Sequence, residues 1–264
     1  MSARVLWVVA ALLGAGLTGI WLIPHDSTRD DVASYIERAN EQGQQFTQQY
    51  RSVEAAYRTF ATKPGHGPNT AKLRAAAERM TQLRAGLAAI PAPAKARLLR
   101  TKLIAFYRGQ EQVAYELVGV AAYFPKLVDA ERPLKGAAEA MRKDVGAAHT
   151  PTSQAAALGS YAGAIARTAD RIEALKEPAL FAKAKGLEIA RLRKTERSVR
   201  AIRAALLAND RTALKTAVSK LAVSNNASAM ATRAAVVAYN RHVDHIQKLG
   251  AAVELERRRL DRTL

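Results

Sequence analysis

Apolar positions recur along most of this chain at alternating steps of three and four. That spacing keeps one face of an α-helix turned toward a neighbouring helix. The first stripe is Val32, Ile36, Ala39, Gly43, Phe46, Tyr50, Val53, Tyr57 and Phe60. Ser27 or Asp30 would cap its start, and the run Lys63-Pro64-Gly65-His66-Gly67-Pro68-Asn69 ends it. A second stripe of Leu73, Ala76, Met80, Leu83, Leu87 and Ile90 stops at Pro91 and Pro93. A third runs from Ala94 to Tyr123 through Leu99, Leu103, Phe106, Gln110, Val113, Leu117 and Val120. Pro125 is expected to end it, because proline lacks the N–H that an inner helical turn needs. A shorter helix then carries Leu127, Leu134, Ala138, Met141 and Val145, and residues 146–153 read as a linker.

The second half repeats this plan. Leu158, Tyr161, Ile165, Thr168, Ile172 and Leu175 form one stripe, closed by Glu177-Pro178. Phe181, Leu192, Thr195, Val199, Ile202 and Leu206 form the next, and Asn209-Asp210 turns the chain. The last helix runs from Leu214 through Tyr239, His242, Ile246, Leu249 and Val253 to Leu260, with Ser224-Asn225-Asn226 as its one candidate break. An offset of 85 residues sets Leu73 on Leu158, Met80 on Ile165, Leu87 on Ile172, Pro93 on Pro178, Arg108 on Arg193 and Glu111 on Glu196. Any two amphipathic hairpins align on their apolar period, but the prolines and the Arg/Glu pair point to duplication of a helix–Pro–helix hairpin. The expected fold is all-α: an elongated antiparallel bundle in two halves, 24–146 and 154–264, that pack together.

Before these stripes, residues 1–4 form a short tail and Val5 to Ile23 carry no charge. Such a helix spans about 28 Å, close to the thickness of a bilayer's hydrocarbon. Trp7 and Trp21 stand at its two ends, where indole prefers the membrane–water interface. A cleaved signal peptide is the competing reading, but Leu17-Thr18-Gly19 is a poor cleavage site and would leave Trp21-Leu22-Ile23 at the mature end. The expectation is a permanent single-pass anchor in the cell membrane. Arg4 before the run and acids after it put the N-terminus inside and the domain outside the cytoplasm. Ala11, Ala15 and Gly19 form a ridge of small residues through which two anchors could pair as a homodimer.

Composition narrows the picture. Hydrophobic residues make up 49% of the 264 residues and aromatics only 6%, with few glycines and prolines. Good helix formers therefore fill the stripes. With no cysteine, the chain has no disulfide, thiol nucleophile or Cys-based zinc site. The net charge is +18, and it deepens toward the C-terminus: after Thr150 there are 21 basic residues against 10 acidic ones. Such a balance favours anionic partners, although arginine on solvated helix faces would give the same count.

The run Leu87-x-x-Ile90-x-x-Pro93, followed by Leu99, Leu103 and Leu117, resembles a hairpin pattern of uncharacterised secreted or membrane-anchored helical proteins of actinobacteria. So does its second copy, Ile172-x-x-Leu175-x-x-Pro178 through Leu206 to Asn209-Asp210; together they cover roughly residues 70–210. The resemblance implies export and a helical fold, and no activity. Those proteins often carry a lipid-modified cysteine, from which this chain departs.

Chemistry is sparse. His242 and His245, with Asp244 between them, are the only histidine cluster. Two histidines three apart on a helix could share a metal, but a zinc site needs further ligands, and His242 falls on the apolar stripe. Gln110, Asn225 and Ser228 lie on buried stripes, where polar groups commonly fix helix register. No phosphate loop, nucleophile elbow or Ser/His/Asp set occurs, so no enzyme activity and no cofactor is expected. The strongest polar feature is one basic helix. Lys183, Lys185, Arg193, Arg197, Arg200 and Arg203, with Arg191 and Lys194 beside them, are interrupted only by Glu188 and Glu196. Arg193, Arg197 and Arg200 are spaced to share a face. No aromatics are interleaved, so stacking on nucleic-acid bases finds no support. The expected function is that of an anchored interaction protein docking an anionic envelope polymer, lipid head groups or an acidic protein. The alternative is a sensory or small-ligand-binding bundle working with a separate signalling partner.

Overall fold

A computed structural model describes residues 30–62, 70–223 and 227–263. The proposed anchor, with Trp7, Trp21, Ala11, Ala15 and Gly19, lies outside these residues. No helix among the described residues is long and apolar enough to cross a membrane. The described chain is all-helical: α1 Asp30–Thr62, α2 Thr70–Ala89, α3 Arg97–Ala147, α4 Pro151–Glu173, α5 Ala182–Leu207, α6 Arg211–Val223 and α7 Ala227–Thr263. Short 3-10 turns at Ala94–Ala96 and Ala179–Phe181 precede α3 and α5.

α3 departs from the expected boundary. It does not end at Pro125 but runs on through Pro125 and Pro133 for 51 residues. Each proline removes one helical hydrogen bond and crowds the carbonyl four residues back, at about 3 kcal/mol. Buried neighbours offset that loss: Tyr123, Phe124, Leu127 and Ala130 all turn inward around the first proline. The helix stops only at Ala147. Thr150 then caps α4 with Pro151 at its first position, and Thr150 and Ser153 exchange side-chain-to-backbone bonds at 3.2 and 3.3 Å.

Because α3 is continuous, the compact units do not follow the expected halves 24–146 and 154–264. The division falls inside helices. One unit holds the described residues up to Ala122 together with those from Val236 onward, and the other holds Tyr123–Ala235. In the first unit Tyr35, Phe46 and Tyr50 of α1 are buried, as are Leu73, Met80 and Leu87 of α2 and Leu99, Leu103 and Leu117 of α3. α7 brings Tyr239, Ile246, Val253 and Leu260, a strict seven-residue repeat of buried positions. It can lie close to α3 because Gly109 is there: a Cβ on Gly109 would meet Leu249 at 3.2 Å and Ile246 at 3.3 Å. Lys102 and Glu256 close the same contact at 3.6 Å. In the second unit, α4 packs on α5 through small side chains. Ala155, Ala162 and Ala169 are buried at seven-residue steps beside Ile165 and Ile172.

The two proline turns share local geometry. Pro93 and Pro178 share extended backbone angles, and each opens a 3-10 turn that leads into a long helix. Arg100 donates back across the first turn to the carbonyl of Ala88. Lys185, its equivalent, donates across the second to Glu173 O, the equivalent of Ala88, at 2.9 Å. Lys185 also reaches Leu175 O at 2.6 Å and Glu177 at 2.7 Å. In both hairpins a cation thus satisfies the open carbonyl end of the preceding helix, where the helix dipole also favours positive charge.

Near the end of α7, Glu254 accepts from Arg257 at 2.9 and 3.0 Å and from Arg258 at 3.0 Å. Bonding to Arg257 first, and then to Arg258, lowers its pKa from 4.5 to about 2. An acid whose pKa falls on folding adds stability above its unfolded pKa, and that stability is lost as pH drops through the folded value. Glu254→Gln is therefore expected to flatten the fall in Tm between about pH 5 and about pH 2, measured by circular dichroism. An acid limb identical to that of the parent chain would contradict this.

Candidate functional site

The structure distributes the basic residues of α5 rather than gathering them. Lys185 is committed to the end of α4. Arg193 turns to α4 as well, where it pairs with Asp170 and lies 3.5 Å from Glu173; Glu196 of its own helix is 3.7 Å away. Arg200 pairs with Glu196 at 2.8 Å. Arg203 lies over Gly159 of α4, where an added Cβ would meet its Nε at 3.2 Å. Lys183 is exposed in the first turn of α5. Arg193, Arg197 and Arg200, spaced to share a face of α5, turn to different neighbours. Arg193 and Arg200 flank the nearly buried Glu196, and Arg197 turns to a groove on the other side.

That groove runs between α5 and α6 and encloses about 500 Å³. Lys194, Arg197, Ser198 and Ala201 of α5 line one wall, and Ala217, Ser219 and Lys220 of α6 the other. The hairpin that forms it turns at Asn209, whose φ of 52° is the left-handed conformation asparagine tolerates well. Asp210 N bonds back to Ala205 O at 2.9 Å, and Asp210 Oδ1 accepts from Ala213 N at 2.9 Å to cap α6. Among the described residues, Lys194, Arg197 and Lys220 have no ion pair and no acid lines the groove. Three uncompensated cations in a concavity focus a positive potential more strongly than the same charges spread over a convex face.

A second groove of about 470 Å³ lies between α3 and α5. Its chemistry is different. Glu188, only 1% exposed, takes two bonds from Arg191, one of them at 3.0 Å. Glu131 lies on the same groove, and burial first, then the charge of Glu188, raises its pKa. Burial also raises Tyr161, with Arg191 acting against it. Under the offset, Glu188 and Arg191 replace Leu103 and Phe106, both buried in the other hairpin.

His242 is half-buried and His245 exposed on α7. No group of three or more His, Asp or Glu among the described residues is placed to hold a metal. Charge counting along α5 missed the roles of Glu188 and Glu196, and Lys220 stands outside the basic helix altogether. The signal available was acid–base spacing of three or four: Glu188 with Arg191, Glu196 with Arg200, Glu256 with Arg259. Compared with family models, curated proteins and solved structures, the chain matches none.

The Glu188–Arg191 pair gives a stability test. Removing one partner of a buried pair leaves an unpaired charge at about 3–5 kcal/mol, whereas replacing both with packed apolar groups is often stabilising. Glu188→Gln is expected to lower Tm. Glu188→Leu/Arg191→Phe, which copies the first hairpin, is expected to raise Tm above that of the single variant and to match or exceed the parent. A double variant less stable than Glu188→Gln would overturn this account.

Proposed function

We propose that this chain is an anchored helical docking protein, held in the cell membrane by residues 5–23 with its domain outside the cytoplasm, that takes an anionic partner in the α5–α6 groove. One observation carries the docking site: of the cations along α5 and α6, Lys194, Arg197 and Lys220 line a concavity with no acid among its described lining residues. Lys185, Arg191, Arg193 and Arg200 of α5 already have protein acceptors, so they hold the fold together rather than present charge. The apolar run, its flanking tryptophans and the repeated Pro–3-10 hairpin support an anchored bundle made by duplication.

Docking is tested with the full chain in detergent and poly-glutamate as a soluble polyanion. Lys194→Glu/Arg197→Glu/Lys220→Glu is expected to weaken binding at low salt by more than about tenfold, and rising salt is expected to weaken the parent as screening shortens to about 10 Å at 0.1 M. The control is the same charge change at exposed Arg74, Arg97 and Arg108. Equal losses in both variants would mean that net charge, and not the groove, attracts the anion. The anchor is tested on membranes from cells expressing the chain. It is expected to resist carbonate extraction and to become extractable when residues 1–23 are removed; release of the intact chain by carbonate would refute the anchor.

A further inference from the structure

The α5–α6 groove has a counterpart in the other hairpin, and there a helix lies on it. Under the 85-residue offset Lys194 stands at the place of Gly109, and Ser198 at the place of Val113. Gly109 is where α7 is seated, with Ile246 and Leu249 against it. Further along the same contact, Glu256 of α7 reaches Lys102. The outer face of that hairpin's second helix is therefore covered by a long helix, apolar at its centre and tied down by an acid.

On the second hairpin the equivalent face is lined, among the described residues, by α6. It has 13 residues where α7 has 37, and Ala217 is the one buried residue among its described side chains. The cover is partial, and the groove is the part left open. Ser198, Ala201 and Ala217 project little, so a helix backbone can come close, as α7 does over Gly109. Cations stand on both walls, Lys194 and Arg197 on α5 and Lys220 on α6.

We propose that the groove docks an acidic amphipathic helix of a partner protein. Its apolar stripe would lie on Ser198, Ala201 and Ala217, and aspartates or glutamates flanking that stripe would reach Lys194 and Arg197 on one side and Lys220 on the other. The proposal rests on the reading of this groove as an anion-docking site and adds the form of the anion. A bilayer surface fits less well, because membrane-binding faces project large apolar side chains into the lipid and this floor is concave and small. A small oxyanion would leave the apolar floor uncovered.

The experiment uses the full chain in detergent and two fluorescein-labelled peptides of about 18 residues, about five helical turns. One carries leucine and alanine on a single stripe flanked by glutamates. The other has the same composition in an order that does not segregate them. Vesicles of phosphatidylglycerol are the third probe. The amphipathic peptide is expected to bind about tenfold or more tightly than the reordered one and to gain helicity on binding. Ala201→Trp, which fills the floor and leaves every charge in place, is expected to abolish that preference, and Lys194→Glu/Arg197→Glu/Lys220→Glu to abolish binding. Equal binding of the two peptides, or indifference to Ala201→Trp, overturns the helix and leaves the anion site standing. Vesicle binding that the triple reversal removes, without any preference between peptides, makes the occupant a membrane and also overturns the helix. Peptide binding indifferent to the triple reversal overturns both the helix and the anion site.

Discussion

Each hairpin depends on a cation that crosses its own turn. A helix ends with carbonyls that have no partner within the helix, and the Pro93 and Pro178 turns leave such ends against the next helix. Arg100 and Lys185 answer them from equivalent places, one turn into α3 and α5. The bond ties the end of one helix to the start of the next and so fixes how the two leave the turn. The buried stripes, with Leu87 and Leu99 on either side of one turn and Ile172 and Phe181 on either side of the other, can pack only once that exit is set. Guanidinium and ammonium replace one another here because the acceptors are carbonyls, which do not require a planar fork.

How much of this was legible follows the physics of each signal. Stripes at steps of three and four located the helices well, because burial at that period arises almost only when a helix packs one face on a neighbour. Leu73, Met80, Leu87, Leu99, Leu103 and Leu117 are all buried. The start of α3 and the turn at Asn209 were legible from proline and asparagine. The continuation through Pro125 was not, since proline's local penalty is visible in sequence and the burial of Tyr123, Phe124 and Leu127 that outweighs it is tertiary. The division of the two units was hidden for the same reason. Candidate cations were legible as a set but not as a site. Lys185 and Arg193 look like surface charge until the carbonyls and carboxylates of α4 are placed beside them.

The net charge of +18 describes the whole chain poorly as a binding surface. Acids are fewer than bases, and several are placed where they serve more than one arginine: Glu196 faces Arg193 and Arg200, and Glu254 faces Arg257 and Arg258. A few buried or half-buried carboxylates therefore organise many cations. What is left over is local, and Lys194, Arg197 and Lys220 are one such remainder.

The alanines between α4 and α5 carry a consequence of another kind. Ala155, Ala162 and Ala169 have no methylene to lose, and a larger side chain at any of them would have to push two helices apart. Sequence change at this contact is therefore lopsided. Leucine positions drift by shrinking and refilling; at these alanines the one smaller residue is glycine, which weakens a helix by about 1 kcal/mol, and any larger one meets close packing. Ala155, Ala162 and Ala169 should therefore vary least along α4, while Ala201, exposed on the groove wall, remains free to change with whatever it meets.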